Sequence, residues 1–329
     1  MALSASLATQ DSAAPGLLQF VSTDVDEHCA SLGRWRLNYD QISAGAFAGS
    51  FTQLALPRLD VFREVTSQQV RQYGQLGAGS FGIGLAWQGD GTVSCNGASS
   101  IAGNKIIACI DAEVDMCTPR AFEFRGVVTR ATLIRELAGQ LDIELPRPLW
   151  NRLGMIEMAE APVARLRALL ATVHDMIATA PERLDDALAR QALEDALLAA
   201  IMDMLPTARA GDAGRSAIAR KRTVDRAREL MHGSAGRSLS LLGICKAVGA
   251  SPRKLGYCFQ EVVGTSPMHY WRAMRLNRVR RDLKRGAGTS IYDIAVQHGF
   301  WHFSQFSLDY KRHFAELPSE TLRRARPTA

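Results

Sequence analysis

No Cys-x-x-Cys pair occurs among Cys29, Cys95, Cys109, Cys117, Cys245 and Cys258, and none of the six is grouped with histidine. That spacing supports neither a zinc knuckle nor a dithiol redox motif; reduced, mostly buried thiols of a cytosolic protein are expected instead. Histidine is scarce where a catalytic front half would use it: only His28 and His174 precede residue 211. A His-x-His metal set and a Ser/His/Asp arrangement are therefore lacking there. The glycines of residues 77–84 are not followed by Lys-Ser/Thr, so they read as turns and close strand packing rather than a phosphate loop. Cys109 and Cys117 stand among acidic residues, the opposite of the electropositive setting that activates a thiol. An enzyme is not expected, and no metal or cofactor is called for. The amino terminus has no cationic segment ahead of an apolar run, and the longest uncharged run, residues 72–89, is broken by six glycines. Neither a secretory signal nor a membrane span is expected, which points to a cytoplasmic, nucleoid-associated protein.

What is present is length and a divided charge. At 329 residues the chain suits two or three domains, each able to bury a core. Residues 1–211 hold 17 Lys/Arg against 24 Asp/Glu, whereas residues 212–329 hold 22 against 9. An acidic front and a strongly basic back suggest that the back meets a polyanion.

The texture changes along the chain. Residues 1–18 read as a loose tail. Residues 19–148 carry short apolar runs punctuated by glycine, with turn signals at Gly89-Asp90-Gly91 and Asn96-Gly97, which predicts a β-sandwich or small β-barrel acting as a sensor or partner domain. Residues 149–205 predict a helical pair: Val163, Leu166, Leu169, Leu170, Val173, Met176 and Ile177 recur at helical spacing. That stripe fits either intramolecular core or a dimer seam. Residues 206–219 read as a linker and 220–329 as an all-α domain, making the whole chain α+β.

The last domain contains a divergent repeat. Residues 240–249 form a first helix with Leu242, Cys245 and Val248 as its expected inner face; Gly249 permits a left-handed turn, and Ser251-Pro252 starts a second helix. Leu255, Phe259 and Val262 line the second helix. The same helix, turn and helix recur at residues 290–299 and beyond, with Tyr292, Ala295 and His298 inward and with Phe306 and Tyr310 offset by 51 from Leu255 and Phe259. Two helix-turn-helix units in tandem, with the charge bias behind them, are a specific DNA-binding signal. A connector helix over residues 267–284, about 27 Å long, would set the units in successive major grooves about 34 Å apart.

The residues Ala247-Val248-Gly249-Ala250-Ser251-Pro252-Arg253-Lys254-Leu255, Phe259-Gln260-Glu261, Gly264-Thr265-Ser266-Pro267 and Arg275-Leu276-Asn277-Arg278-Val279-Arg280 are similar to the DNA-binding domain of AraC/XylS-family transcription regulators. So are Ile294-Ala295, Gly299-Phe300, Phe306-Ser307, Tyr310-Lys311-Arg312, Phe314 and Pro318-Ser319; the resemblance covers roughly residues 220–325. Gly299-Phe300-Trp301-His302-Phe303 and the glycine-rich front also resemble the branch containing the ethanolamine-utilisation regulator. The resemblance implies a cupin-like front domain, double-stranded promoter DNA and RNA polymerase as partners, and a homodimer.

Carried over position by position, it implies base reading by Arg253, Gly256, Tyr257 and Gln260, and by Ser304, Ser307, Leu308 and Lys311. Arg253 suits guanine and Gln260 adenine. This chain departs from the pattern at Gly256, at Leu308, where many relatives carry arginine, and at Trp301, in place of a small polar cap. Phosphate contacts are expected from Lys254, Arg272, Arg275, Arg278, Arg281, His302 and Arg312, and the cations Arg280, Lys284 and Arg285 complete a ring around the connector. In the front domain, Trp35, Tyr39, Tyr73, Phe81 and Trp87, with Asp111, Glu113 and Asp115, suit a pocket for a small cationic inducer, or else core aromatics beside a solvated acidic strand face. Two regulators therefore remain open: one whose front domain senses a small molecule, and one whose front domain only dimerises or binds a protein.

Overall fold

A computed structural model of the chain describes residues 16–33, 35–77, 79–96, 98–100, 105–110, 113–145, 154–207, 209–210, 215–234, 239–286 and 290–325. Among the described residues the front half holds two antiparallel sheets. The larger has the order β1 (Leu17–Ser22), β3 (Gly49–Ala55), β4 (Leu59–Thr66), β11 (Phe122–Arg130), β6 (Ser80–Gln88), β9 (Lys105–Ile110), β12 (Gly154–Glu157) and β13 (Arg209–Ala210). The smaller runs β2 (Arg36–Gln41), β5 (Val70–Gln75), β10 (Glu113–Thr118), β7 (Val93–Cys95) and β8 (Ala98–Ser100). The short helix α1 (Val25–Ser31) caps one end, its first turn held by the Asp24 carboxylate.

Strand alternation builds this arrangement. In β4, Leu59 and Val61 point to one side of the large sheet while Phe62 and Glu64 point to the other. Phe51, Phe62, Phe122 and Phe124 of the large sheet meet Tyr39, Val70, Val114 and Met116 of the small one, so the front domain is a sandwich with its core between the sheets. Among the described residues no strand pairing closes the sheets into a barrel. Gly84 permits the close packing: a Cβ there would stand 2.1 Å from Cζ of Phe124.

On the far side of the large sheet lie α2 (Ala131–Gln140), α3 (Glu160–Thr179) and α4 (Ala187–Met204). The α3 stripe of Val163, Leu166, Leu170, Val173 and Ile177 is buried with Leu54, Val61, Ile83 and Val127 of the sheet. Each such side chain contributes roughly 1.5–3 kcal/mol by leaving water. The stripe is thus core and is not free to serve as a dimer seam. The expected bounds also differ: β1 begins at Leu17, inside the stretch read as a tail; β12 lies inside the stretch read as a helical pair; and β13 and the helix starting at Arg215 begin inside the stretch read as a linker.

The back half is helical: α5 (Arg215–Gly233), α6 (Leu241–Val248), α7 (Pro252–Val263), α8 (Pro267–Arg285), α9 (Ile291–Gln297), α10 (Phe303–Phe314) and α11 (Pro318–Ala325). Gly249 ends α6 in the left-handed region at φ 68°, and the Ser251 hydroxyl caps α7. The inner faces are Ile244, Cys245 and Val248 in α6, and Ile294 and Ala295 in α9 with His298 just past its end. Leu242 and Tyr292, expected inward, are exposed, because the short helices turn the residues two positions later toward the core. One core gathers α5 to α7 around Tyr270, Trp271 and Met274 of α8; the other gathers α9 to α11 around Leu276, Val279 and Leu283 of the same helix. The first of these cores also takes in Ile42 and Cys117 from the front domain. The small sheet therefore lies with its inner face on the sandwich core and its outer face on the back domain.

Candidate nucleic-acid interface

The two second helices present the expected faces. On α7, Arg253, Tyr257 and Gln260 fall at positions i, i+4 and i+7 and are exposed, opposite the buried Leu255, Phe259 and Val262. On α10, Ser304, Leu308 and Lys311 repeat that spacing in the open, with Ser307 half-buried beside them, while Phe306 and Tyr310 are buried. Among the expected phosphate contacts, Lys254, Arg272, His302 and Arg312 are exposed. Arg272 stands 3.6 Å from Asp309 of α10. Cations at Arg253, Lys254, Lys311 and Arg312 put positive charge along both helices, as a polyanion requires.

The remaining cations of the connector are engaged within the protein. Arg275 donates to the Gly299 carbonyl at 3.0 Å and lies over the rings of Trp271 and Phe300; burial pushes its pKa down to about 10, with Arg272 adding to the effect. Arg278 donates to Nδ1 of His232 at 2.6 Å. Arg281 donates to Asp26 at 2.9 Å and to both the Tyr39 carbonyl and the Asp40 carboxylate at 2.6 Å. Arg280 pairs with Asp24 and Glu316 at 2.8 Å each, and Lys284 pairs with Asp24 and Asp26. Burial opposes ionisation of Asp24, but Arg280 and Lys284 outweigh it and lower its pKa. The connector is a largely buried axle, and Arg275, Arg278 and Arg281 hold it to its neighbours.

The front domain also grips both reading helices at their carboxy-terminal ends, where a helix leaves its last carbonyls without partners. The Ser94 hydroxyl donates to the Val262 carbonyl at 2.6 Å and Gln69 Nε2 to the Val263 carbonyl at 2.7 Å, at the end of α7. Gln41 Nε2 and the Gly45 amide donate to the His313 carbonyl at 2.8 and 3.0 Å, near the end of α10. Asp115 joins the domains again, bonded to Arg71 at 2.9 Å and Arg228 at 2.8 Å, with Lys221 at 3.5 Å. Burial alone would raise the Asp115 carboxyl, yet Arg228, Arg71 and Lys221 hold it at about 2. The acidic strand face expected to be solvated is, at Asp115, an interdomain ion cluster; Asp111 lies outside the described residues.

The aromatic pocket forms only in part. Trp35 and Tyr39 line a cavity of about 50 Å³ between the sheets, with Phe62, Phe124, Met116 and Gln72. Phe81 is buried against the helices, the Trp87 ring packs on the guanidinium groups of Arg125 and Arg167, and Tyr73 sits under Arg71. The polar centre of the cavity was not anticipated: buried Glu64 accepts from His28 Nε2 at 3.0 Å, the Tyr39 hydroxyl at 2.8 Å and Gln72 Nε2 at 3.2 Å. A carboxylate at an inward position of β4, between Phe62 and Thr66, was the sequence signal for it. Burial, then the Glu64 charge, raises the Tyr39 hydroxyl well above its ordinary pKa. Among the described residues no group of three or more His, Cys, Asp and Glu is placed to hold a metal, and no helix is long and apolar enough to cross a membrane.

Residues 244–324, from α6 to α11, match a family model described as a helix-turn-helix domain. Over 92 residues the chain is 36% identical to the XylDLEGF operon transcriptional activator of Pseudomonas putida, covering 27% of this chain and 29% of that protein. A probable thc operon regulatory protein of Rhodococcus erythropolis is 34% identical over 97 residues, 29% of each chain. A solved structure of a probable AraC family transcriptional regulator from Rhodopseudomonas palustris is 33% identical, covers 32% of this chain and 99% of that one, and has a TM-score of 0.31. The chain spans less than a third of the length of the two curated relatives. These relatives do not bear out the resemblance of residues 299–303 and of the glycine-rich front to the ethanolamine branch.

Proposed function

We propose that the chain is a promoter-binding transcription regulator whose carboxy-terminal region is a helix-turn-helix domain of the AraC/XylS type and whose two units read adjacent major grooves. The observation that carries this reading is the pair of matched open faces, Arg253/Tyr257/Gln260 and Ser304/Leu308/Lys311, on two helices packed against one shared axle. Base edges in the major groove are read by side chains of this kind on an inserted helix. The relative from Pseudomonas putida is named an activator, which supports reading this chain as an activator that works beside RNA polymerase on the nucleoid in the cytoplasm. No catalytic step belongs to it. A homodimer would have to use a surface other than the buried α3 stripe. The test is selection of duplexes from a random pool by the purified chain. Enrichment of a bipartite site, its halves about one helical turn apart, supports the reading; an unenriched pool rejects it.

Control by a small cationic ligand in the sandwich cavity is supported by Glu64 among Trp35, Tyr39 and Phe62. The cavity holds about 50 Å³, room for only a few water-sized groups, so a larger occupant must displace lining side chains. Tyr39 is one of them, and its own carbonyl together with Asp40 holds Arg281 of α8. Displacement of Tyr39 would therefore reach the connector through one strand. Thermal shifts of the chain with a panel of small amines test this: a shift present in the chain and lost in Glu64→Gln supports it. No shift with any amine leaves the front domain as a brace or protein-binding module.

A further inference from the structure

Leu308 stands in the open at the centre of the α10 reading face, 64% exposed, one turn from Ser304 and from Lys311. Its counterpart at the offset of 51 is Tyr257, 55% exposed, at the same place on α7. Each reading helix thus carries one large apolar body directly away from its core, beside a small residue, Gly256 or Ser307. Neither Leu308 nor its neighbours Ser304 and Ser307 offers the forked donors that read guanine. Trp301, 58% exposed, adds a second apolar surface just ahead of the same helix. Lys311 and Arg312 flank the face with positive charge, which favours a nucleic-acid occupant over an apolar protein one.

We infer that the second unit reads its half-site by apolar contact, Leu308 packing against the C5 methyl group of thymine in the major groove. This rests on the DNA-binding reading given above and deepens it: the second unit selects thymine by its methyl group, whereas the first selects by the hydrogen bonds of Arg253 and Gln260. Thymine is the base pair's apolar mark in that groove, and a leucine side chain can cover it without needing a donor or acceptor.

The experiment uses the full chain and a duplex selected by it. Each thymine of the second half-site is replaced in turn by deoxyuridine, which removes the methyl group alone, and binding is measured for the chain and for Leu308→Ala. One or two replacements should weaken the chain about four-fold each, the effect of burying a single methyl-sized group, and should leave Leu308→Ala unchanged. The variant's unaltered melting temperature would show that an exposed side chain was removed without harm to the fold. If every deoxyuridine replacement is neutral for the chain, or if Leu308→Ala responds to them as the chain does, the inference is overturned while the DNA-binding reading survives. If no duplex is selected at all, that reading itself falls and takes the inference with it.

Discussion

Gln41 of β2 and Asn277 of α8 exchange two hydrogen bonds across the domain boundary: the Gln41 amide donates to Asn277 Oδ1 at 3.2 Å, and Asn277 Nδ2 donates to the Gln41 carbonyl at 2.8 Å. The same Gln41 carbonyl accepts from His313 Nε2 at 3.0 Å. One residue of the front domain thereby touches both the axle of the back domain and its second reading helix. Both Gln41 and Asn277 are buried, so no water can replace a lost partner.

Replacing Asn277 by Leu should therefore destabilise the chain by about 2 kcal/mol, since it leaves the Gln41 amide buried without a partner. Urea unfolding at neutral pH reads this directly. A loss below about 0.5 kcal/mol, the size of an ordinary surface change, would show that the boundary opens to water and that the domains are not locked.

Asp115 should matter more, because it compensates Arg228 at 2.8 Å, which is buried against Tyr270 and meets its other carboxylate, Asp225, only at 3.7 Å. Asp115→Ala strands that guanidinium and is expected to cost about 3 kcal/mol. Glu113→Ala, two residues away on the same face but exposed at the start of the strand, should stay within about 0.5 kcal/mol. Equal effects from the two would mean that the ion cluster adds nothing beyond strand propensity.

The contrast between these neighbours shows what a sequence discloses. The helix-turn-helix units are legible because their signals are local: Gly249 supplies a left-handed turn, and Ser251-Pro252 supplies a cap and a preset first turn within a few residues. The connector was legible as a helix but not as an axle. Its arginines look like a cationic stripe until Asp24, Asp26 and Asp40, some 240 residues earlier in the chain, are folded against them. The cavity failed for a different reason. Phe81, Ile83, Leu85 and Trp87 share one parity of β6, and the glycines Gly82 and Gly84 share the other. Aromatic composition suggested that Phe81 and Trp87 face a ligand, but Gly82, Ile83 and Gly84 line the cavity and neither aromatic does. Parity was visible in the sequence; which side was hollow was decided by the second sheet.

The division of the basic residues has a measurable consequence in salt. Lys254 and Arg312 are exposed on the reading helices, so replacing either by Ala should lower the slope of log affinity against log salt by about 1. Arg281 is spent on Asp26, Asp40 and Tyr39, and Arg281→Ala should leave that slope unchanged while lowering stability. Arg253→Ala should cost about 1–3 kcal/mol and relax preference at one base pair. A loss spread evenly over all sequences would reassign Arg253 to phosphate.

Acid should loosen the domain boundary well before it protonates the carboxylates. Burial pushes His313 down to about 4 from its ordinary 6.5, and the neutral ring donates through Nε2 to the Gln41 carbonyl. Between pH 6.5 and 4 the unfolded chain therefore binds a proton that the folded chain does not, so stability falls as the pH drops through that window. Asp115, held at about 2 against an ordinary 3.8, keeps its full contribution until the pH falls below about 4, which leaves the upper window to the histidines. His174 and His232, also lowered to about 4 by burial, add in the same direction. At pH 5 the His313 share alone is about 2 kcal/mol relative to pH 7. His313→Gln keeps an amide that can donate to Gln41 but cannot titrate. Its unfolding free energy should fall between pH 7 and pH 5 by about 2 kcal/mol less than that of the parent chain. Parallel declines in the two proteins would show that His313 is protonated in the folded state and that the Gln41 contact does not depend on its neutral form.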